Sequence, residues 1–267
     1  MTSRVGTILV GLLTVGVVGG TAAMLVDFDH RVAQTTAEAE EAPPLPTLTP
    51  DVSPSPSSSP THSTGPRPVS LWIGDGYTAG AGAKRSHTGE ACVAAKDLGW
   101  RCELDAERGT GFLSDGSSFD PTYASLGDRI DDLPEQAPDV VVVDAGRNDL
   151  GVYSTPAIVA AMDDYVGRLR AAYPHATLVQ VVPWRLAQDA PDEEMTRAVT
   201  DLMDEYDGYV VDPVAEGWAG AGHTDKPDLL VEPGVADQAG HDLIGAKLAA
   251  AIRDLDLPVP TEPATTG

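Results

Sequence analysis

Cysteine is nearly absent: Cys92 and Cys102 are the only two in 267 residues. That is too sparse for a metal site, and no metal or cofactor is expected. Basic residues are scarce as well, 17 against 41 acidic, giving a net charge of −24 and a pI of about 4.3. Such a chain repels a phosphate backbone, which argues against nucleic acid as a partner. The acidity itself reads as a well-solvated surface. No segment repeats internally, so a solenoid or array is not indicated.

Charge of either sign is missing from Val5 to Val26. This apolar run is long enough to span a bilayer. Arg4 precedes it and Asp27 and Asp29 follow, so the positive-inside rule puts residues 1–4 in the cytoplasm and the rest outside. The competing reading is a cleaved signal peptide and a secreted protein, with Thr21-Ala22-Ala23 supplying small residues near the end of the run. Residues 27–68 follow as a Pro/Ser/Thr-rich stalk, with nine prolines between Pro43 and Pro68. Such a stretch cannot bury a core and is expected to stay extended. In polyproline II form, at ~3.1 Å per residue, it reaches on the order of 80 Å, which suits a spacer lifting a domain off a membrane. The folded domain is expected over residues 69–255, with a flexible tail over 256–267. In an oxidising compartment Cys92 and Cys102 suit a disulfide tying the first helix to the second strand; two buried free thiols are the alternative.

Strand signals recur at Val69–Ile73, Trp100–Leu104, Val140–Asp144, Thr177–Val182 and Tyr209–Asp212. The run Val140-Val141-Val142-Val143 is continuously apolar, as in a central parallel strand covered on both faces. Helical patterns fall between: Glu90–Leu98, Tyr123–Leu133, Pro156–Tyr173 and Asp192–Tyr206, then a last one near Asp237–Leu255. The alternation predicts an α/β fold, a flavodoxin-like three-layer parallel sheet of about five strands with helices on both faces. Sites in such sheets form beyond the carboxyl ends of the strands. Gly74–Thr78, Asp105–Gly111 and Gly146–Asp149 all fall there.

Four blocks, in order, resemble the SGNH (GDSL-type) hydrolases. Gly74-Asp75-Gly76-Tyr77-Thr78-Ala79-Gly80 is similar to the family's Gly-Asp-Ser opening, with Gly76 in the serine's place. Asp105–Leu113 resembles the second block, whose glycine, here Gly109, offers a backbone N–H. Gly146-Arg147-Asn148-Asp149 matches the Gly-x-Asn-Asp of the third, whose asparagine completes an oxyanion hole. Glu232-Pro233-Gly234-Val235, running on to His241, resembles the Asp-x-x-His block. The likeness covers residues 69–255 and implies an SGNH-type fold.

What it implies about chemistry is mixed. The family's serine attacks an ester, a histidine takes its proton and an aspartate orients the ring. Here those positions hold Gly76, Val235 and Glu232, so the catalytic triad is vestigial. The donors of the oxyanion hole, the Gly76 and Gly109 N–H groups and the Asn148 amide, are retained and can hold an oxygen without a nucleophile. Rescue from elsewhere is weighed against simpler roles. Thr78 is expected to point away, Ser86 and His87 lie in a loop that could cover the site, and His223 reads as a surface residue. His241 reads as packing or capping. Asp75 and Glu232 could pair as carboxylates, Trp184 could line a pocket, and Arg147 or Arg185 could meet an anion. The leading expectation is a membrane-tethered extracytoplasmic domain, catalytically impaired, binding a small acylated or glycan ligand of the envelope or a protein partner. The alternatives are an active ester hydrolase with a non-standard base, and a structural or interaction module.

Overall fold

The computed structural model describes residues 67–186, 192–218, 230–232 and 235–259. The Val5–Val26 run, the stalk up to residue 66, the tail from residue 260 and His223 lie outside them. Among the described residues no helix is long and apolar enough to cross a membrane.

In chain order the elements are β1 (Val69–Gly74), α1 (Glu90–Asp97), β2 (Arg101–Ala106), α2 (Leu126–Arg129, continued by a 3₁₀ turn over Ile130–Asp132) and β3 (Val140–Asp144). They are followed by α3 (Thr155–Ala172), β4 (Thr177–Val181), α4 (Glu193–Glu205), β5 (Tyr209–Val211), β6 (Leu230–Glu232), β7 (Val235–Ala236) and α5 (Gln238–Asp254). Strands β1 to β5 form one parallel sheet in the order β2-β1-β3-β4-β5, the expected doubly wound arrangement.

Side chains alternate across a pleated strand, so each apolar strand feeds two cores. Leu71, Ile73, Val141, Val143 and Leu178 pack with Ile158, Met162, Leu169 and Val199 on the α3 and α4 side. Trp72, Val140, Val142, Val179 and Val181 pack with Ala94, Ile244 and Leu248 on the α1 and α5 side. Burying such side chains contributes roughly 1.5–3 kcal/mol each. Helices α1 and α5 lie close because Gly245 has no side chain; a Cβ there would meet Val93 Cβ at 2.6 Å and Glu90 O at 2.7 Å. The Cys92–Cys102 disulfide joins α1 to β2.

Two elements differ from the sequence expectation. The helix predicted over Tyr123–Leu133 starts only at Leu126, where Ser125 caps it by accepting from Asp128 N. Ala124 is held outside the helix, its N–H donating to Glu107 Oε2 at 3.0 Å and its carbonyl accepting from Arg129 Nη1 at 2.9 Å. Near the chain's end, β6 and β7 form an antiparallel pair with Glu232 opposite Val235, which periodicity over such short pieces does not reveal.

Candidate active site

Strands β1, β2 and β3 are neighbours, so the segments leaving their carboxyl ends converge. There they enclose a pocket of about 130 Å³, with Val235 and Ala236 of β7 on its wall. Gly76, Gly109, Asn148 and Val235, the positions singled out in the sequence, all line it, beside Asp75, Arg108, Phe119 and Arg147. The side chain of Glu232 lies outside the described residues.

Among the described residues the N–H groups of Gly76 and Gly109 meet no acceptor in the protein. Gly109 sits at φ +81°, and a Cβ there would come within 2.3 Å of Phe119 Cδ2. The Phe119 ring therefore lies against the Gly109 backbone, and Arg108 stacks on its face at 4.7 Å. At Gly76 a Cβ would stand 3.2 Å from Arg108 Cγ and 3.6 Å from Ala81 Cβ. The Arg108 stem thus lies beside Gly76.

Asn148 is turned inward. Its Nδ2 donates to Asp75 Oδ2 and to the Thr110 carbonyl, both at 2.8 Å, which engages both amide hydrogens. Asp75 also accepts from Tyr77 N at 3.0 Å and lies 3.1 Å from Arg147 Nε. That last contact is ionic rather than a well-aligned hydrogen bond, since Arg147 Nε has no hydrogen-bond partner by angle. Burial pushes the Asp75 carboxyl up to about 6, although Arg147 opposes the rise. Arg147 in turn donates to Asp144 Oδ1 at 2.6 Å and lies under Tyr77, 4.0 Å from its ring centre. Burial also raises the Tyr77 phenol, which keeps it protonated at neutral pH.

The other residues weighed from sequence are placed as follows. Thr78 is buried and points at the Asp144 carbonyl, 3.2 Å away. His241 is fully buried, with Nδ1 accepting from Glu90 N at 3.2 Å and Nε2 on the Ala81 carbonyl at 2.9 Å. These contacts make it a brace between α1, α5 and the loop after β1. Ser86 and His87 do not line the pocket; His87 borders a separate depression. Trp184 is also absent from the pocket wall. It is buried between Tyr77 and Trp218 and 5.2 Å from the Arg147 guanidinium. Arg185 donates to the Leu150 carbonyl.

Two supporting residues were not singled out in the sequence. Asp149, fully buried, accepts from Phe112 N and Ser114 N at 2.8 Å and from Leu113 N at 3.3 Å, clamping the loop after β2. Arg129 reaches Asp105 Oδ2 at 3.0 Å, Thr110 Oγ1 at 3.1 Å and the Gly74 carbonyl at 2.9 Å, so it ties the same loop to the end of β1. The final Asp of Gly-x-Asn-Asp was a usable signal for the first. A lone arginine beside apolar Leu126 and Ile130 was a weaker one for the second.

Residues 72–243 match the profile of the GDSL-like Lipase/Acylhydrolase family. No curated protein matches the sequence. Among solved structures the chain is similar to a carbohydrate esterase family 2 enzyme with a carbohydrate-binding domain from Myceliophthora fergusii (20% identity, TM-score 0.56, covering 73% of this chain and 68% of that one). It is similar also to a lipolytic protein of the G-D-S-L family from Desulfitobacterium hafniense (15% identity, TM-score 0.52, 69% and 99%). A third is the salicylyl-acyltransferase SsfX3 of a tetracycline biosynthetic pathway (18% identity, TM-score 0.53, 74% and 58%). At these identities the likeness is one of fold.

Proposed function

The chain belongs to the GDSL-like lipase/acylhydrolase family, and from that membership we propose that it is a member that binds rather than cleaves. In this reading an ester, acyl or glycan oxygen sits against the Gly76 and Gly109 N–H groups, and no acyl transfer follows. One observation carries it: among the described residues the pocket wall holds two free backbone donors but no serine, threonine, cysteine or histidine. Removing a triad typically lowers turnover about a millionfold, leaving roughly 10³–10⁴ over water from binding and the oxyanion hole. The Val5–Val26 run would tether the domain and the Pro-rich stretch would display it outside the membrane.

The test is a titration of the purified protein with short esters and acetylated sugars, run beside a p-nitrophenyl acetate assay. Saturable binding without turnover is expected. Absence of binding to every such ligand counts against the reading.

A second reading, an active ester hydrolase with a non-standard base, is favoured by Asp75 alone. It lines the pocket, and burial brings its carboxyl to about 6, within the range of a working general base. Saturable turnover that disappears in Asp75→Asn would select it over the first.

A further inference from the structure

The loop between β1 and α1 borders a second depression, of about 350 Å³, whose walls share no residue with the first pocket. Lys84, Arg85, His87 and Lys96 surround it, and all four are exposed. In a chain with 41 acidic residues, four of the described arginines pair with carboxylates. Arg101 pairs with Glu103, Arg129 with Asp105 and Glu107, Arg147 with Asp75 and Asp144, and Arg168 with Asp131. Lys84, Arg85 and Lys96 make no ion pair among the described residues. The acidic wall residue, Asp242, has its carboxylate turned to Gln238 Nε2, at 2.9 Å.

The backbone carrying these cations is fixed. Gln238, at the start of α5, accepts from Lys84 N at 3.0 Å and from Thr88 Oγ1 at 2.9 Å, and donates to the Thr88 carbonyl at 2.8 Å. Thr88 Oγ1 also meets Arg85 N at 3.3 Å. Between these ties His87 is held at φ +59°, a conformation that costs a non-glycine residue about 1 kcal/mol and persists where neighbours over-determine it. The disulfide sulfur of Cys92 lies 3.9 Å from His87 Nδ1 and pins the wall to β2.

We propose that this depression binds the phosphate-ester group of a small soluble ligand. Lysine and arginine groups around one cup match a group carrying nearly two negative charges better than a single carboxylate, and the arginine fork fits phosphate oxygens. The concave shape suits a ligand the size of a phosphorylated polyol or sugar. The net charge of −24 opposes an extended polyanion or a flat anionic surface, whose further charges would fall on the acidic remainder.

The experiment is calorimetric titration of the full chain with glycerol 3-phosphate at low salt, with glycerol as control. Saturable binding of the ester alone is expected, weakened by added salt and weakened about tenfold or more in the triple variant Lys84→Gln, Arg85→Gln, Lys96→Gln. Circular dichroism should show that these exposed substitutions leave the fold intact. Gln238→Ala, which frees the loop without touching a cation, should weaken binding as well. Competition by inorganic phosphate would support the phosphoryl group as the part recognised. Absence of saturable binding, or equal binding by the triple variant, overturns the proposal. So does binding confined to phosphatidylglycerol vesicles, which would make the surface a membrane contact.

Discussion

Asn148 and Asp75, separated by 73 residues in sequence, are joined by a 2.8 Å hydrogen bond from Nδ2 to Oδ2. The bond locks the segment after β3 to the segment after β1, and a second one to the Thr110 carbonyl locks it to the segment after β2. Asn148 is therefore a keystone of the pocket's frame.

Asn148→Ala should destabilise the fold by about 1–3 kcal/mol, because it leaves the Thr110 carbonyl without a donor and the buried Asp75 Oδ2 with only its ionic contact to Arg147. Urea unfolding followed by fluorescence measures this. An unchanged midpoint would show that the two contacts contribute nothing.

The buried acids set the pH dependence. Asp75 is raised from 3.8 to about 6 by burial, and the folded state therefore holds a proton that the unfolded chain has released. Burial also raises Glu90, whose carboxylate oxygens have no hydrogen-bond partner. Its neighbour His241 is disfavoured as a cation by burial, yet Glu90 at 3.6 Å raises it overall. For each group the folded value exceeds the unfolded one, so its stabilising contribution is complete at low pH and is lost as pH climbs through the folded value. For Asp75 that window runs from about 4 to about 6. The unfolding free energy should fall from pH ~5 to pH ~7.5, by on the order of 2 kcal/mol. Glu90→Gln should flatten the decline; an equally steep fall in that variant would remove Glu90 from the account.

At Gly109 the positive φ and the Phe119 ring both oppose a side chain. Gly109→Ala should cost roughly 1–3 kcal/mol. Adding Phe119→Ala removes the overlap but not the backbone strain, so the double variant should regain part of the loss. A double-mutant cycle on unfolding free energies reads this coupling. Strict additivity would mean that the ring moves aside freely.

Introducing a serine and a histidine, Gly76→Ser with Val235→His, should yield measurable p-nitrophenyl acetate turnover, whereas Gly76→Ser alone should not. The serine Cβ requires the Arg108 stem to shift by only a few tenths of an ångström, since its nearest contact would be 3.2 Å. A double variant that folds and binds but never turns over would show that the missing orientation, not the missing groups, limits the site.

The five parallel strands and their flanking helices were readable because burial on both faces produces long apolar runs such as Val140–Val143. The pocket's backbone positions were readable because Gly76, Gly109 and Asn148 sit in motifs at strand ends. Long-range polar contacts were not. Glu90 looks like an ordinary acidic residue in the first turn of a helix, yet it is fully buried against His241, 151 residues away. The false start predicted at Tyr123 has the same origin: Glu107 and Arg129 capture Ala124 before the helix can include it, and no local pattern records that.

The two pocket donors at Gly76 and Gly109 are main-chain groups at the ends of adjacent strands. On the proposed binding reading, a receptor point built this way is inherited with the chain path, not with any particular side chain. Substitution can strip the reactive groups from around it one at a time, yet only a change in the course of the loops themselves can erase it.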